Sequence, residues 1–587
     1  MAWEQKDKFK ERFTKERFQY AFSVLPWGYQ KLEKRYKRVI FLNAILGVIP
    51  TLTGLYLTVL SREIINAAVG HEKSIFMQTM MIYVLVSLFN LLFNTIYGYF
   101  SAVQSSGMLL QMRKMFYRII FQKEYGAMER FRTGELLYRI QNDIPNICNL
   151  LYSIPYTLLS LVIQIVGSAY LIFKNVPEIG LIAVPLVLFM ALGTFLINDR
   201  LRIYAKLSWE KSSASTSVMI EHIRNLMLFH TFGKEEYSYK EVANSLSSQR
   251  DTQLDISRLS AFYGNLSNIF MMAISVGGMF YFLSKVLNAN MNIGTYTMLI
   301  SLVERLKGQI SQVSGLIPIF FNLMLSSERT SEIEHSANDL TREKVSEEAA
   351  RLFYDEQLVS FGMRNVYFAY PGRKKELVLE DFSVDIKKGE FVATTGLSGC
   401  GKSTMQKLLL GLYRPDKGEL YLKKKDGSEE VLDSAWRELF SYVPQQNFLF
   451  YGTIRDVVRF GSEVEDPNDE KCWQALRIAC AENFVKRLPE GLDTELGENG
   501  AGLSEGQMQR LSIARAMYTD RPILLLDECT SSLDGETERK TLENIKAMTN
   551  KTVVIVTHRP AALDYCDREI HFQSKEEKEG KKTETKS

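Results

Sequence analysis

Two stretches in the C-terminal third of the chain carry residue types that together grip phosphate and activate water. Gly396-Leu397-Ser398-Gly399-Cys400-Gly401-Lys402-Ser403-Thr404 matches G-x-x-x-x-G-K-[ST]. It follows the apolar run Glu390 to Thr395 and precedes the apolar-periodic Met405 to Leu412, the order strand, loop, helix. In that context the glycines let backbone N–H groups wrap phosphate oxygens at a helix N-terminus. Lys402 then neutralises β/γ charge, and the Ser403 hydroxyl is set to ligate Mg²⁺. Ile523-Leu524-Leu525-Leu526-Asp527-Glu528 is an aliphatic buried-strand run ending in two carboxylates. After a phosphate loop, Asp527 is placed to hold Mg²⁺ directly or through water, and Glu528 to orient or deprotonate an attacking water. By itself an Asp-Glu pair after a strand is equally a helix N-terminus, where the dipole favours acids.

The elements that position these residues belong to a domain of short β-branched and aromatic runs alternating with helical stretches, an α/β rhythm from residue 358 to 573. Before it lies Thr330 to Glu356, polar and rich in Glu and Ala, which reads as a helical extension and linker (residues 330–357). After it, Ser574 to Ser587 is dominated by Lys and Glu and cannot bury a core.

The first half is written for a membrane. Runs free of Asp, Glu, Lys and Arg cover Val39 to Ser61, Ser74 to Met112, Ile144 to Phe173, Ile179 to Asn198 and Leu259 to Ser284. A sixth, Val286 to Val303, continues after a charged break as Gly308 to Ser327. Crossing ~30 Å of hydrocarbon takes about 20 apolar residues, whereas a soluble helix with a solvent face rarely lacks every charge. Lys and Arg set the orientation. Eleven precede the first span, seven lie in Arg113 to Asp143 and nine in Asp199 to Arg258, against Arg62, Lys73, Lys174 and Lys285 in the other connections. Residues 1–38, both long loops and the chain after the sixth span are therefore expected in the cytoplasm. Residues 39–329 are expected to form six spans whose helices extend into it. Glu304, Arg305 and Lys307 sit within the sixth span; they either line a transport route, or Glu304 and Lys307, three apart on one face, neutralise one another.

With 46% hydrophobic and 24% charged residues and a net charge of +3, the 587-residue chain is neither disordered nor a globally basic nucleic-acid binder. Its six cysteines are scattered without a CxxC pair, so neither a disulfide framework nor a zinc site is expected. The N-terminus lacks a secretory signal pattern, and with about 38 residues before the first span no peptidase domain is expected there.

Between and around the phosphate motifs, further residues resemble the ATP-binding cassette (ABC) transporters. Leu503-Ser504-Glu505-Gly506-Gln507 is similar to the signature LSGGQ, with Glu505 in place of the first Gly. Tyr442-Val443-Pro444-Gln445 resembles the Q-loop, Ser532-Leu533-Asp534 the D-loop and Val556-Thr557-His558 the switch histidine. Tyr370 in Phe368-Ala369-Tyr370-Pro371-Gly372 matches the aromatic that stacks on adenine. Thr494 to Gly500 resembles an exporter loop ahead of the signature, with Asn499 departing from the usual Arg.

The resemblance implies an exporter half-transporter: a membrane bundle of six transmembrane helices followed by an α/β P-loop ATPase domain. It implies ATP and Mg²⁺ as cofactors, a catalytic set of Glu528, His558 and Gln445, and Ser403, Gln445 and Asp527 around the metal. It also implies a head-to-tail dimer in which Ser504, Gly506 and Gln507 of one cassette cap ATP on the P-loop of the other. Both Glu528 and His558 are present, so a homodimer, the expected assembly, would have two competent sites; a heterodimer with a second half-transporter stays open. Thr133-Gly134-Glu135-Leu136-Leu137 and Glu221 to Lys234 resemble the regions that couple spans to cassettes. The cargo is expected to be amphipathic (drug-like molecule, lipid or peptide), and the half-size architecture fits a bacterial cell membrane. A DNA-repair ATPase is opposed by the uncharged spans and the lack of basic patches, while an ATP-gated channel shares every motif.

Overall fold

The computed structural model describes residues 28–131, 133–178, 204, 207–208, 210–288, 290–339, 343–372, 376–446, 449–462, 466–497, 502–548 and 550–572. The expected first 27 residues, the fourth span Ile179 to Asn198, Glu498 to Gly500 and the charged tail lie outside them. The chain divides into two compact units: residues up to Phe121 with Phe131–His335, and Gln122–Arg130 with the chain from Ser336 onward.

The first unit is built of long helices. Lys34–Val69, Lys73–Phe121 and Thr133–Asn175 are each long and apolar enough to cross a membrane. Lys73–Phe121 has 49 residues and Glu235–Leu287 has 53, lengths of about 75 and 80 Å that far exceed ~30 Å of hydrocarbon. Along Lys73–Phe121, Met81, Leu85, Leu92, Ile96 and Tyr99 stand exposed, as side chains facing lipid should. Leu55, Ile172, Phe282, Met298, Leu299 and Leu302 meet in a buried core between the first, third, fifth and sixth spans. Close approach there depends on glycine: a Cβ on Gly47 would fall 2.2 Å from the ring of Tyr156, and one on Gly294 2.3 Å from the Arg62 carbonyl oxygen.

The sixth helix runs from Ile293 to Glu334 rather than from Val286, which ends the preceding helix instead. The break falls in Asn288 to Asn292, where Asn292 is an extended N-cap. Three asparagines turn the chain without a charge, so a reading based on charge places the boundary at Lys285, inside the preceding helix.

A turn of π-helix, Arg139–Asp143, leads into the third span. Asp143 is fully buried and accepts from Arg329 Nε at 2.8 Å and Ser326 Oγ at 2.9 Å. Arg139 donates to the Arg329 carbonyl at 2.6 Å and to Glu332 at 3.0 Å. These bonds tie the lower part of the third-span helix to Ile293–Glu334.

In the second unit, a parallel sheet runs in the order Arg568–Phe572, Phe391–Gly396, Thr552–Val556, Ile523–Asp527, Phe440–Val443. Its two central strands, TVVIV and ILLLD, are buried at every residue, as strands covered on both faces should be. An antiparallel sheet in the order Leu379–Lys387, Leu358–Phe368, Lys417–Lys424, Glu429–Val431 completes the unit. The helix Glu347–Glu356, capped by Ser346, buries Ala350, Phe353 and Tyr354 there, so part of the polar segment before residue 358 is built into this unit.

The first-loop segment that packs with the cassette is Tyr125–Glu129, whereas Thr133–Tyr138 belongs to the helical unit. Tyr125 meets Tyr413 edge-on with ring centres 5.7 Å apart, and the Tyr413 hydroxyl donates to Glu129 at 2.5 Å. Gly126 permits this approach, since a Cβ there would come within 2.7 Å of the Tyr413 ring.

Replacing Arg329 by Met strands the buried Asp143 carboxylate and should destabilise the helical unit by about 3–5 kcal/mol. Thermal unfolding in detergent should show that loss, and adding Asp143→Asn should recover much of it.

Candidate functional site

The parallel register decides where the chemistry gathers. Val556 pairs with Asp527 on one side and with Thr394 on the other, and Val443 pairs with Leu526. The residues just beyond each strand, Gly396–Lys402, Glu528, His558 and Gln445, therefore emerge along one carboxyl edge, where ligands bind in open α/β sheets.

The phosphate loop leaves Phe391–Gly396 and enters the helix Lys402–Leu409. Gly396 has φ +132° and a Cβ there would lie 2.5 Å from the Phe572 carbonyl oxygen; Gly401, the N-cap, has φ +107°. Neither position accepts a side chain without strain. Lys402 is nearly buried, and its Nζ donates to the carbonyls of Gly396 at 2.7 Å and Leu397 at 2.9 Å, with Cys400 Sγ at 3.9 Å. The loop is thus folded around its own ammonium, with the N–H groups of the first helical turn open to an anion.

A cleft of about 360 Å³ opens on this loop, lined by Ser398, Gly399, Gly401, Lys402, Ser403 and Thr404 together with Tyr370, Gln445 and Glu528. Glu376 and Val378 also line it; nothing in their types or spacing marks them in the sequence. Tyr370 is fixed by its hydroxyl, 2.9 Å from Thr404 Oγ1, and by edge contacts with Phe368 and Tyr413.

Ser403 Oγ donates to Asp527 Oδ1 at 2.9 Å, and the Tyr442 hydroxyl reaches Oδ2 at 3.4 Å. Burial pushes the Asp527 carboxyl up from the ordinary range; the Ser403 bond opposes that and the neighbouring Glu528 charge reinforces it. A buried carboxylate facing a serine hydroxyl is a hard-oxygen pair of the kind Mg²⁺ takes beside phosphate oxygens.

Glu528 itself has φ +47°, uncommon for a residue with a side chain, and its N–H donates to the Val556 carbonyl at 3.1 Å. The strained turn aims the carboxylate into the cleft. There Gln445 Nε2 donates to Oε2 at 2.7 Å, and His558 Nε2 lies 3.4 Å from Oε1. Such a carboxylate, accessible yet bracketed by two polar side chains, can orient a water and accept its proton.

The signature lies apart from the cleft lining. Ser504 N-caps the helix Glu505–Thr519 in a capping box with Gln507, the two reciprocal bonds measuring 3.3 and 2.8 Å. Glu505 stands exposed in its first turn, where the dipole favours an acid. Gly506 sits against the Ser532 carbonyl, which a Cβ would approach to 2.9 Å. Gln509, which no motif singled out, joins the groups: its Oε1 accepts from the Ser532 N–H at 3.0 Å and its Nε2 donates to the Glu528 carbonyl at 3.4 Å. Arg559 likewise holds the D-loop turn, donating to the carbonyls of Ser531 and Leu533 and to Glu538. Both links join segments far apart in sequence.

Set against known proteins, residues 379–531 match the ABC transporter family and residues 39–309 the ABC transporter transmembrane region. An ABC transporter ATP-binding protein of Bacillus subtilis is 26% identical over 94% of this chain and 89% of its own length. Another, of Mycoplasma genitalium, is 30% identical over 73% of this chain and 72% of its own. Among solved structures, a bacterial Atm1-family ABC exporter with ATP bound shares the fold, with a TM-score of 0.79 over 92% of this chain and 93% of that one at 20% identity.

If Tyr370 is the base-stacking platform, Tyr370→Ala should weaken ATP binding by about 1–3 kcal/mol while Tyr370→Trp retains it. Titration with a fluorescent ATP analogue would measure both.

Proposed function

Because the chain belongs to the ABC transporter family, we infer that ATP hydrolysis at the carboxyl edge of its parallel sheet drives an amphipathic substrate through its helical bundle. The chain is an ATP-hydrolysing membrane transporter with the exporter fold. What supports the site assignment most is the convergence of Lys402, Ser403, Asp527, Gln445, Glu528 and His558 along one strand edge.

In this reading Gly396, Ser398, Gly399, Cys400, Gly401 and Thr404 supply the cradle around the phosphates, and Lys402 turns its ammonium from its own loop carbonyls to the β/γ oxygens. Tyr370 stacks on the adenine. Glu528 orients the water and takes its proton, Gln445 positions that water, and His558 senses the γ-phosphate. Ser403, Asp527 and Gln445 would hold Mg²⁺, which when bound supplies positive charge against the phosphate oxygens.

The working unit is a dimer in which Ser504, Gly506 and Gln507 of one cassette close the cleft of the other, and we take it to be a homodimer. Glu505 favours a second reading. In a homodimer its carboxylate stands beside the signature of both sites, close to phosphate charge, whereas a different partner confines it to one. The exposed apolar tip formed by Ile223, Met227 and Phe232 around the helix Leu226–Thr231 is a surface to be covered in the assembled transporter, as a coupling element requires. The Lys and Arg distribution supports placing the ATPase unit in the cytoplasm, and the half-size architecture fits a bacterial cell membrane.

Purified chain in lipid should hydrolyse ATP without a second subunit, and Glu528→Gln should lower the rate by at least about a hundredfold while ATP stays bound. Activity that appears only with a different half-transporter would select the heterodimer. Met227→Asp should leave hydrolysis running but abolish transport, read by parallel ATPase and flux assays.

A further inference from the structure

The described residues leave one charge at membrane depth without a counter-ion. Arg305 lies twelve residues inside the sixth helix from Ile293, about 18 Å along its axis and hence near the middle of a ~30 Å layer. Its neighbours are settled differently: Glu304 accepts from Ser275 Oγ on the fifth span and from Lys307 Nζ at 3.4 Å. Adjacent residues on a helix do not face each other, and among the described residues no carboxylate bonds Arg305. Sequence extends the point to the whole bundle, since the charge-free spans, Ile179 to Asn198 included, contain no Asp or Glu. Two cations therefore stand against the single acid Glu304.

The guanidinium is also given room. It packs on the first span at Gly54, where a Cβ would come within 3.2 Å of Nη1. Leu302 and Leu306 of the same helix are buried in the apolar core, whereas Glu304 and Lys307 remain accessible in the single chain. Charges so placed face a cavity or a second copy rather than lipid.

We propose that Arg305 is a substrate-binding residue that recognises the anionic head, phosphate or carboxylate, of an amphipathic molecule. A planar guanidinium is suited to either group through paired hydrogen bonds, and the anion supplies the charge that the bundle lacks. This inference rests on the transporter reading above.

The test uses the full chain in phosphatidylcholine nanodiscs, with ATPase titrated against dodecyl phosphate, laurate, dodecanol and dodecyltrimethylammonium. Each rate is divided by the same variant's rate without amphipath. The anions should act at half-stimulating concentrations at least about tenfold below dodecanol, the step expected of a charge-assisted bond. Comparing dodecyl phosphate with laurate tells phosphate from carboxylate. Arg305→Gln should erase the preference, Arg305→Lys should keep part of it, and Arg305→Glu should pass it to the ammonium compound. Equal response to all four, or an anion preference surviving in Arg305→Glu, overturns the inference. A chain without ATPase activity would sink the transporter reading instead. Calorimetric titration with dodecyl phosphate, which needs no turnover, would then still decide whether Arg305 binds the anion.

Discussion

The pairing of Val556 with both Asp527 and Thr394 is the constraint on which the site depends. Parallel strands expose successive carboxyl ends at one edge, so the loop after Gly396, the carboxylates of Asp527 and Glu528 and the imidazole of His558 arrive together although more than 150 residues separate Thr394 from His558. A slip of one residue in that register would turn Asp527 to the opposite face. The strands that make this pairing are buried at every residue, so the same segments build the core of the sheet and carry Asp527 to its edge.

From that edge the polar links run outward. Asp527 is held by Ser403 and Tyr442, Glu528 by Gln445 and His558, and the Glu528 carbonyl by Gln509, which also grips the D-loop at Ser532. The signature glycine, Gly506, rests on that same Ser532. Two hydrogen bonds through Gln509 therefore connect the Glu528 carbonyl to the turn on which the signature glycine rests. Such a short chain of polar contacts suits a switch biased by ligand contacts made in only one of its states.

The helical unit works under the opposite solvent. Its spans are legible from the absence of charge, because hydrocarbon tolerates so little of it, and its exceptions are legible for the same reason. Arg305 stands out in the sequence as an unmatched cation, but its seat against Gly54 needed the packing of two helices remote in the chain. The break at Asn288 to Asn292 was hidden because asparagine turns a chain without altering its charge. In the cassette the phosphate loop and the Asp-Glu pair were readable because each is a local pattern with a local mechanism. Gln509, Arg559 and the Tyr125 to Tyr413 contact were not, since each acquires its role only from a partner brought near by the fold.

The central claim is that hydrolysis at the strand edge does transport work, and accumulation against a gradient tests it most directly. Inverted proteoliposomes containing only this chain would be given a fluorescent amphipath with ATP or with a non-hydrolysable analogue, and the internal concentration followed. The account predicts accumulation above the external level with ATP alone. Equal internal and external levels reached at the same rate with either nucleotide would contradict it and make the chain a gated channel.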